Sequence, residues 1–200
     1  MNDTPNNVSN RDTLKRTAAN LQRIGRFGLL VQLVPAALAG FLLLFSVVWT
    51  TSHNSTRNTG GGLVFAALSL IILLVSLFWF FRYTKTAQRF QDANNRPSKA
   101  DTVKMLRSGV KINAIGLTFG ILGAETLLLS LTLKSFGILN PFAIQGAVFG
   151  NSSIAQIAVQ PIDVLLSFAN TQTIFAHFVG LLCSSWLLSD LAKQEKSKES

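Results

Sequence analysis

The chain has one cysteine, Cys183, and two histidines, His53 and His177, in 200 residues. One thiol excludes an intramolecular disulfide and any cysteine-rich zinc or iron–sulfur site. Two histidines, one of them in a polar loop, leave no material for a Ser/His/acid or Cys/His catalytic constellation. Acidic residues are scarce as well, nine against 18 basic ones, for a net charge of +9. That excess could mark a nucleic-acid binder, but the basic residues flank hydrophobic runs and form no recognition module, so nucleic acid is not an expected partner. Also missing are G-x-x-x-x-G-K-[ST], G-x-S-x-G, H-E-x-x-H and C-x-x-C. With them go a P-loop motor, a serine-hydrolase elbow, a zincin helix and a thioredoxin-like pair. The expectation is a protein with no enzymatic activity and no cofactor.

What the chain does have is apolar length. Hydrophobic residues make up 48% of it. They come in long blocks, which is the pattern of membrane spans. The fold expected is an all-α integral membrane protein, a bundle of four transmembrane helices with both termini cytoplasmic. Residues 1–26 form a polar start and a basic amphipathic helix, with Leu14, Ala18, Leu21 and Gly25 on one face. Such a helix is expected to lie on anionic headgroups, or else simply to extend the first span. Hairpin 1 covers 27–81, with spans at 27–50 and 63–81. A basic connection follows at 82–108, broken by Pro97-Ser98. Hairpin 2 covers 109–188, with spans at 109–133 and 162–188 around an apolar outer loop at 134–161. Residues 189–200 form the tail. The first apolar run is too long for a signal-peptide core, and the opening MNDTPNNVSN does not look like a transit peptide.

Charge orients these spans. Of the 18 Lys and Arg residues, all but Arg57 and Lys134 fall in the N-terminal segment, in the middle connection with Lys111, or in the tail. The positive-inside rule therefore puts those three segments in the cytoplasm, and an even number of spans agrees.

Within the fourth span Asp163, Asn170, His177 and Ser184 stand seven apart. Seven residues turn about 700°, so each group lies only about 20° behind the last and the four form one polar stripe. Lipid cannot satisfy such groups, so the stripe should face protein or water. In the third span Glu125 is a lone carboxylate, a functional candidate by default. Helical rise puts Glu125 about 6 Å outward of its span's centre and Asn170 about 7.5 Å outward of its own, so antiparallel neighbours would bring the two to one level. Gly116 and Gly120 make a G-x-x-x-G suited to close helix packing or to a homo-oligomer. The candidate transport pathway is thus Glu125, Asp163, Asn170 and His177, with His177 and Glu125 as metal-ligand candidates. Each has a structural alternative: Asp163 suits a first helical turn after Pro161, and Asn170 and His177 suit interhelical hydrogen bonds.

Three strings, IGRFGLLVQLVPAALAGFLLLFSVV, DTVKMLRSGVKINAIGLTFGILGAETLL and PIDVLLSFANTQTIFAHFVGLLCSSWLL, resemble the family of the small four-span chloroplast inner-envelope protein known both as a Tic translocon subunit and as a "permease in chloroplasts". Cyanobacterial relatives belong to the same uncharacterised-domain family. The likeness covers residues 12–190 and is most specific from Ala169 to Ser184. It implies four spans, both ends on one side, and two competing roles. The chain looks like a cyanobacterial member in a bacterial inner membrane. The leading expectation is a permease for a divalent metal ion, iron by resemblance. The alternatives are a subunit of a protein translocation or membrane-assembly complex, with translocon or transporter partners, and a structural membrane protein without substrate.

Overall fold

A computed structural model describes residues 5–52, 60–90, 92, 96–135 and 161–199. Four helices account for nearly all of them: α1 Pro5–Ser52, α2 Gly60–Arg89, α3 Lys99–Ser135 and α4 Pro161–Glu199. Each holds a stretch long and apolar enough to cross a membrane, and no strand occurs among the described residues. The chain is a four-span helical bundle, as its apolar blocks predict. The apolar outer loop expected at 134–161 lies, over 136–160, outside the described residues.

The helices share one rule of construction. On α1 the buried positions include Ala18, Gly25, Gln32, Ala39 and Ser46; on α2 Gly62, Ser69, Ser76 and Tyr83, with Phe90 next in step just past its end. On α3 they include Thr102, Gly109, Gly116 and Gly123; on α4 Asp163, Asn170, His177, Ser184 and Leu191. Every series steps by seven, and in each a second buried series falls three or four further on, as with Leu166, Thr173, Gly180 and Leu187. This is the 3.5-residue repeat of left-handed helix packing. The repeat differs from that of a soluble coiled coil. One of its two positions is filled mostly by small and polar residues, the other mostly by apolar ones such as Leu73, Leu106, Leu127 and Leu166, while further large apolar residues such as Leu30, Val34, Phe41, Ile71, Leu74 and Phe78 are exposed. In lipid that is the stable arrangement, because apolar side chains lose nothing by facing acyl chains and small residues let helices approach.

By contacts the chain divides into two units: residues 1–34, 72–115 and 176–200, and residues 35–71 and 116–175. All four helices contribute to each. In the first, Leu21, Phe80, Tyr83, Leu106 and Leu187 form an apolar core. In the second, Ala39, Leu42, Ala66, Leu127, Leu166 and Ala169 do so.

The N-terminal amphipathic face does not lie on lipid. It continues α1, and Ala18 and Leu21 are buried in the first unit's core. Thr17 donates to Gln194 Oε1 at 2.8 Å, and Asn20 donates to Asp190 Oδ2 at 2.9 Å. The apolar stripe is spent on protein because α4 also runs past its apolar stretch and offers Leu187, Leu191, Asp190 and Gln194 alongside. Lys15, Arg16, Arg23 and Arg26 stay exposed. Pro97-Ser98 does separate two helices: Ser98 caps α3, its Oγ accepting from the Asp101 amide at 3.1 Å and donating to Asp101 Oδ2 at 2.6 Å.

Candidate functional site

The first unit holds a layer of buried polar side chains, one from each helix: Gln32, Ser76, Asn113 and His177. Asn113 Oδ1 is its hub. It accepts from Ser76 Oγ at 2.8 Å and Gln32 Nε2 at 3.2 Å, and lies 3.3 Å from His177 Nδ1. Since Oδ1 can only accept, that contact is a hydrogen bond when the imidazole carries its proton on Nδ1. Asn113 Nδ2 donates to Gly109 O at 3.0 Å, which fixes the amide's orientation, and Gln32 Nε2 also reaches Ala176 O at 2.9 Å. Gly180 makes the room: a Cβ there would collide with Gln32 Nε2 and Asn113 Oδ1. In the same unit the Tyr83 and Ser184 hydroxyls share a 3.2 Å hydrogen bond. A Cβ on Gly109 would strike the Tyr83 hydroxyl and come within 3.2 Å of Ser184 Oγ.

The second unit holds a different set. Ser69 Oγ lies 3.1 Å from Gly116 O and 3.2 Å from Thr173 Oγ1, and Thr173 donates to Asn170 O at 2.7 Å. Asn170 Nδ2 donates to Gly120 O at 2.9 Å. Its Oδ1 is buried and has no hydrogen-bond partner among the described residues. A Cβ on Gly123 would lie 2.9 Å from that oxygen. The α3–α4 packing at this depth therefore exists, but glycines make it, with Gly120 as acceptor.

The candidates separate accordingly. Asp163, Asn170, His177 and Ser184 are all buried. Asp163 lies in the first turn of α4, where a carboxylate suits the helix dipole. Glu125 does not join Asn170: it is exposed on α3, among exposed Ile121, Leu122, Leu128 and Leu129. It belongs to an outward series that also steps by seven, Lys104, Lys111, Thr118, Glu125 and Thr132. On α1 the corresponding outward series is Phe27, Val34, Phe41 and Val48, all apolar. Among the described residues, no three His, Cys, Asp or Glu side chains come close enough to hold a metal ion together. Sequence reading singled out His177, Asn170 and Gly116 but did not join Gln32, Ser76 and Asn113 to the first, Ser69 to the second, or Gly109 and Gly123 to the third. Counting every seventh residue in all four spans, not only in the fourth, would have found them.

Four apolar helices, closed by a seam of small and polar residues, define a polytopic membrane protein of the helical-bundle class. Residues 11–192 match the family model described as "Protein of unknown function (DUF3611)", and the chain belongs to that family. It is 34% identical over 183 residues to "Protein TIC 21, chloroplastic" of Arabidopsis thaliana, which covers 88% of this chain and 57% of that protein. The chain thus spans little more than half the length of this relative. No solved structure matches it.

Proposed function

We propose that the chain is a subunit of a membrane-embedded protein translocation or assembly complex, docked through the outward face of α3, and that it carries out no chemical step itself. The carrying observation is Glu125. A carboxylate about 6 Å from the centre of a span is costly against lipid and is ordinarily turned to protein or water. Here it points away from the bundle, in line with Thr118 and Thr132. A neighbouring membrane helix that offers a donor at that level removes the cost. The inward polar groups do not compete for the role, since Gln32, Ser76, Asn113 and His177 already bind one another. The resemblance to a Tic subunit supports this reading.

The test is a photocrosslinking amino acid at Glu125 or Thr132 in living cells, with Phe41 as the control position. The reading predicts discrete protein adducts at 125 and 132, including a translocating precursor or a fixed neighbour, and only lipid adducts at 41. Lipid adducts at all three positions would contradict it.

A second reading, a permease for a divalent metal such as iron, keeps one observation in its favour. Asn170 Oδ1 is a buried oxygen with no partner among the described residues, an arrangement that costs about 1–3 kcal/mol. A hard cation in passage would satisfy it, with Asp163 of the same unit in the first turn of α4. On either reading the membrane is a bacterial inner membrane of cyanobacterial type, by resemblance.

A further inference from the structure

Where α2 leaves the apolar span and α3 begins, the first unit contains a pocket of about 640 Å³. Its cations are Arg82, Lys85 and Arg89 from α2 and Lys104 from α3. Helical spacing explains why α2 presents them together: 82, 85 and 89 lie three and four apart on one face. One carboxylate lines the pocket among the described residues, Asp101, and its Oδ2 already accepts from Ser98 Oγ at 2.6 Å. The inner wall is apolar and fixed. The Trp79 indole N–H donates to Met105 O at 3.0 Å, and Thr86 Oγ1 donates to Met105 Sδ at 3.4 Å. Arg82 stands 5.2 Å from the centre of the Trp79 ring, and Lys85 stands 4.7 Å from that of Phe81. Ring contacts of this kind hold a long cationic side chain in place and leave its N–H donors free to bind an anion.

We infer that this pocket binds a phosphate-bearing anion, and that the phosphate is presented by an anionic phospholipid headgroup of the adjoining leaflet. Three features converge on that ligand. The charge is right: four cations face one carboxylate that is already hydrogen-bonded. The depth is right: Trp79, a ring type enriched at headgroup level, stands at the end of the apolar run of α2 and is followed at once by Arg82 and Lys85. The shape is right: cations at the rim and an apolar wall of Trp79 and Met105 beneath suit a phosphate above and a glycerol–acyl region below. Basic pockets between membrane helices on the cytoplasmic side bind lipid headgroups in this way. The sequence marks the whole 82–108 connection as basic. Only the fold shows which of its charges share a cavity.

The experiment uses the full chain, purified in mild detergent and examined by native mass spectrometry after titration with phosphatidylglycerol or phosphatidylcholine. The expected result is a saturable adduct with phosphatidylglycerol and none with phosphatidylcholine. Arg82→Gln/Lys104→Gln removes two exposed pocket cations and should weaken that adduct on the order of tenfold or more. Arg23→Gln/Arg26→Gln removes two exposed cations outside the pocket and should leave the adduct unchanged. Equal weakening in both double variants would overturn the inference, because the attraction would then be diffuse surface charge. A third arm adds inorganic phosphate at millimolar concentration. If it displaces the lipid fully, a soluble anion is the ligand and the headgroup assignment falls. Thermal unfolding of both variants shows that each is folded, so a lost adduct reads on the pocket.

Discussion

At the scale of single residues, the polar side chains of the seam are held more by the space around them than by their hydrogen bonds. Interhelical hydrogen bonds in membranes average about 0.6 kcal/mol, because the unfolded-in-membrane state also finds partners. Forcing an extra carbon into a packed site costs about 1–3 kcal/mol. Gly180→Ala, whose Cβ would collide with Gln32 and Asn113, should therefore destabilise the protein more than Ser76→Ala, which removes one donor to Asn113. Gly40→Ala is the contrasting case. No atom lies within 4 Å of its Cβ position, and it sits inside α1. It should be neutral, or stabilising by about 0.5–1 kcal/mol through helix propensity. Unfolding midpoints of the three variants in one detergent check the order; Gly180→Ala matching Gly40→Ala would refute it.

At the scale of elements, the number and order of the helices were legible because lipid imposes a blunt rule: about 20 apolar residues in a row. The α4 stripe was legible for a similar reason, since four polar residues at sevenfold spacing in a greasy run leave one face to hide. Glu125 was harder. Its depth can be counted along the chain, but its azimuth depends on which face of α3 packs inward. That is decided by Gly109, Gly116 and Gly123, which leave Glu125 on the exposed side. The N-terminal helix shows the same limit. Its amphipathic pattern fits lipid or protein equally, and the matching surface on α4 lies more than 160 residues away in sequence. Two predictions belong here. Cysteines placed at Thr17 and Gln194 in a Cys183→Ser background should be joined in high yield by a short bismaleimide, whereas Arg16 paired with Gln194 should not. A helix lying on the membrane would give no difference between the pairs. Topology follows from the basic segments: cysteines at Ser55 and Ser152 should react with an impermeant maleimide added outside, and one at Ser98 should not. Labelling of Ser98 alone would invert the orientation.

At the scale of the whole molecule, polar groups are buried among apolar side chains where the helices meet, and the outer face of α3 carries Thr118, Glu125 and Thr132 among exposed apolar residues. Within the first unit the inward groups of all four helices are joined to one another through Asn113. We read those bonds as the means by which the helices recognise their register, and the Glu125 face as the means by which the protein recognises a neighbour. Glu125→Gln should therefore leave stability in detergent unchanged while weakening co-purification with that neighbour, which quantitative pull-down would measure. We read the inward seam as packing and not a path. Uptake of radiolabelled iron into liposomes containing the purified protein tests it most directly, with empty vesicles and the His177→Ala variant alongside. Packing alone gives uptake indistinguishable from empty vesicles for both proteins. Saturable uptake by the parent that is lost in a folded His177→Ala protein would contradict it and make the seam a route for metal.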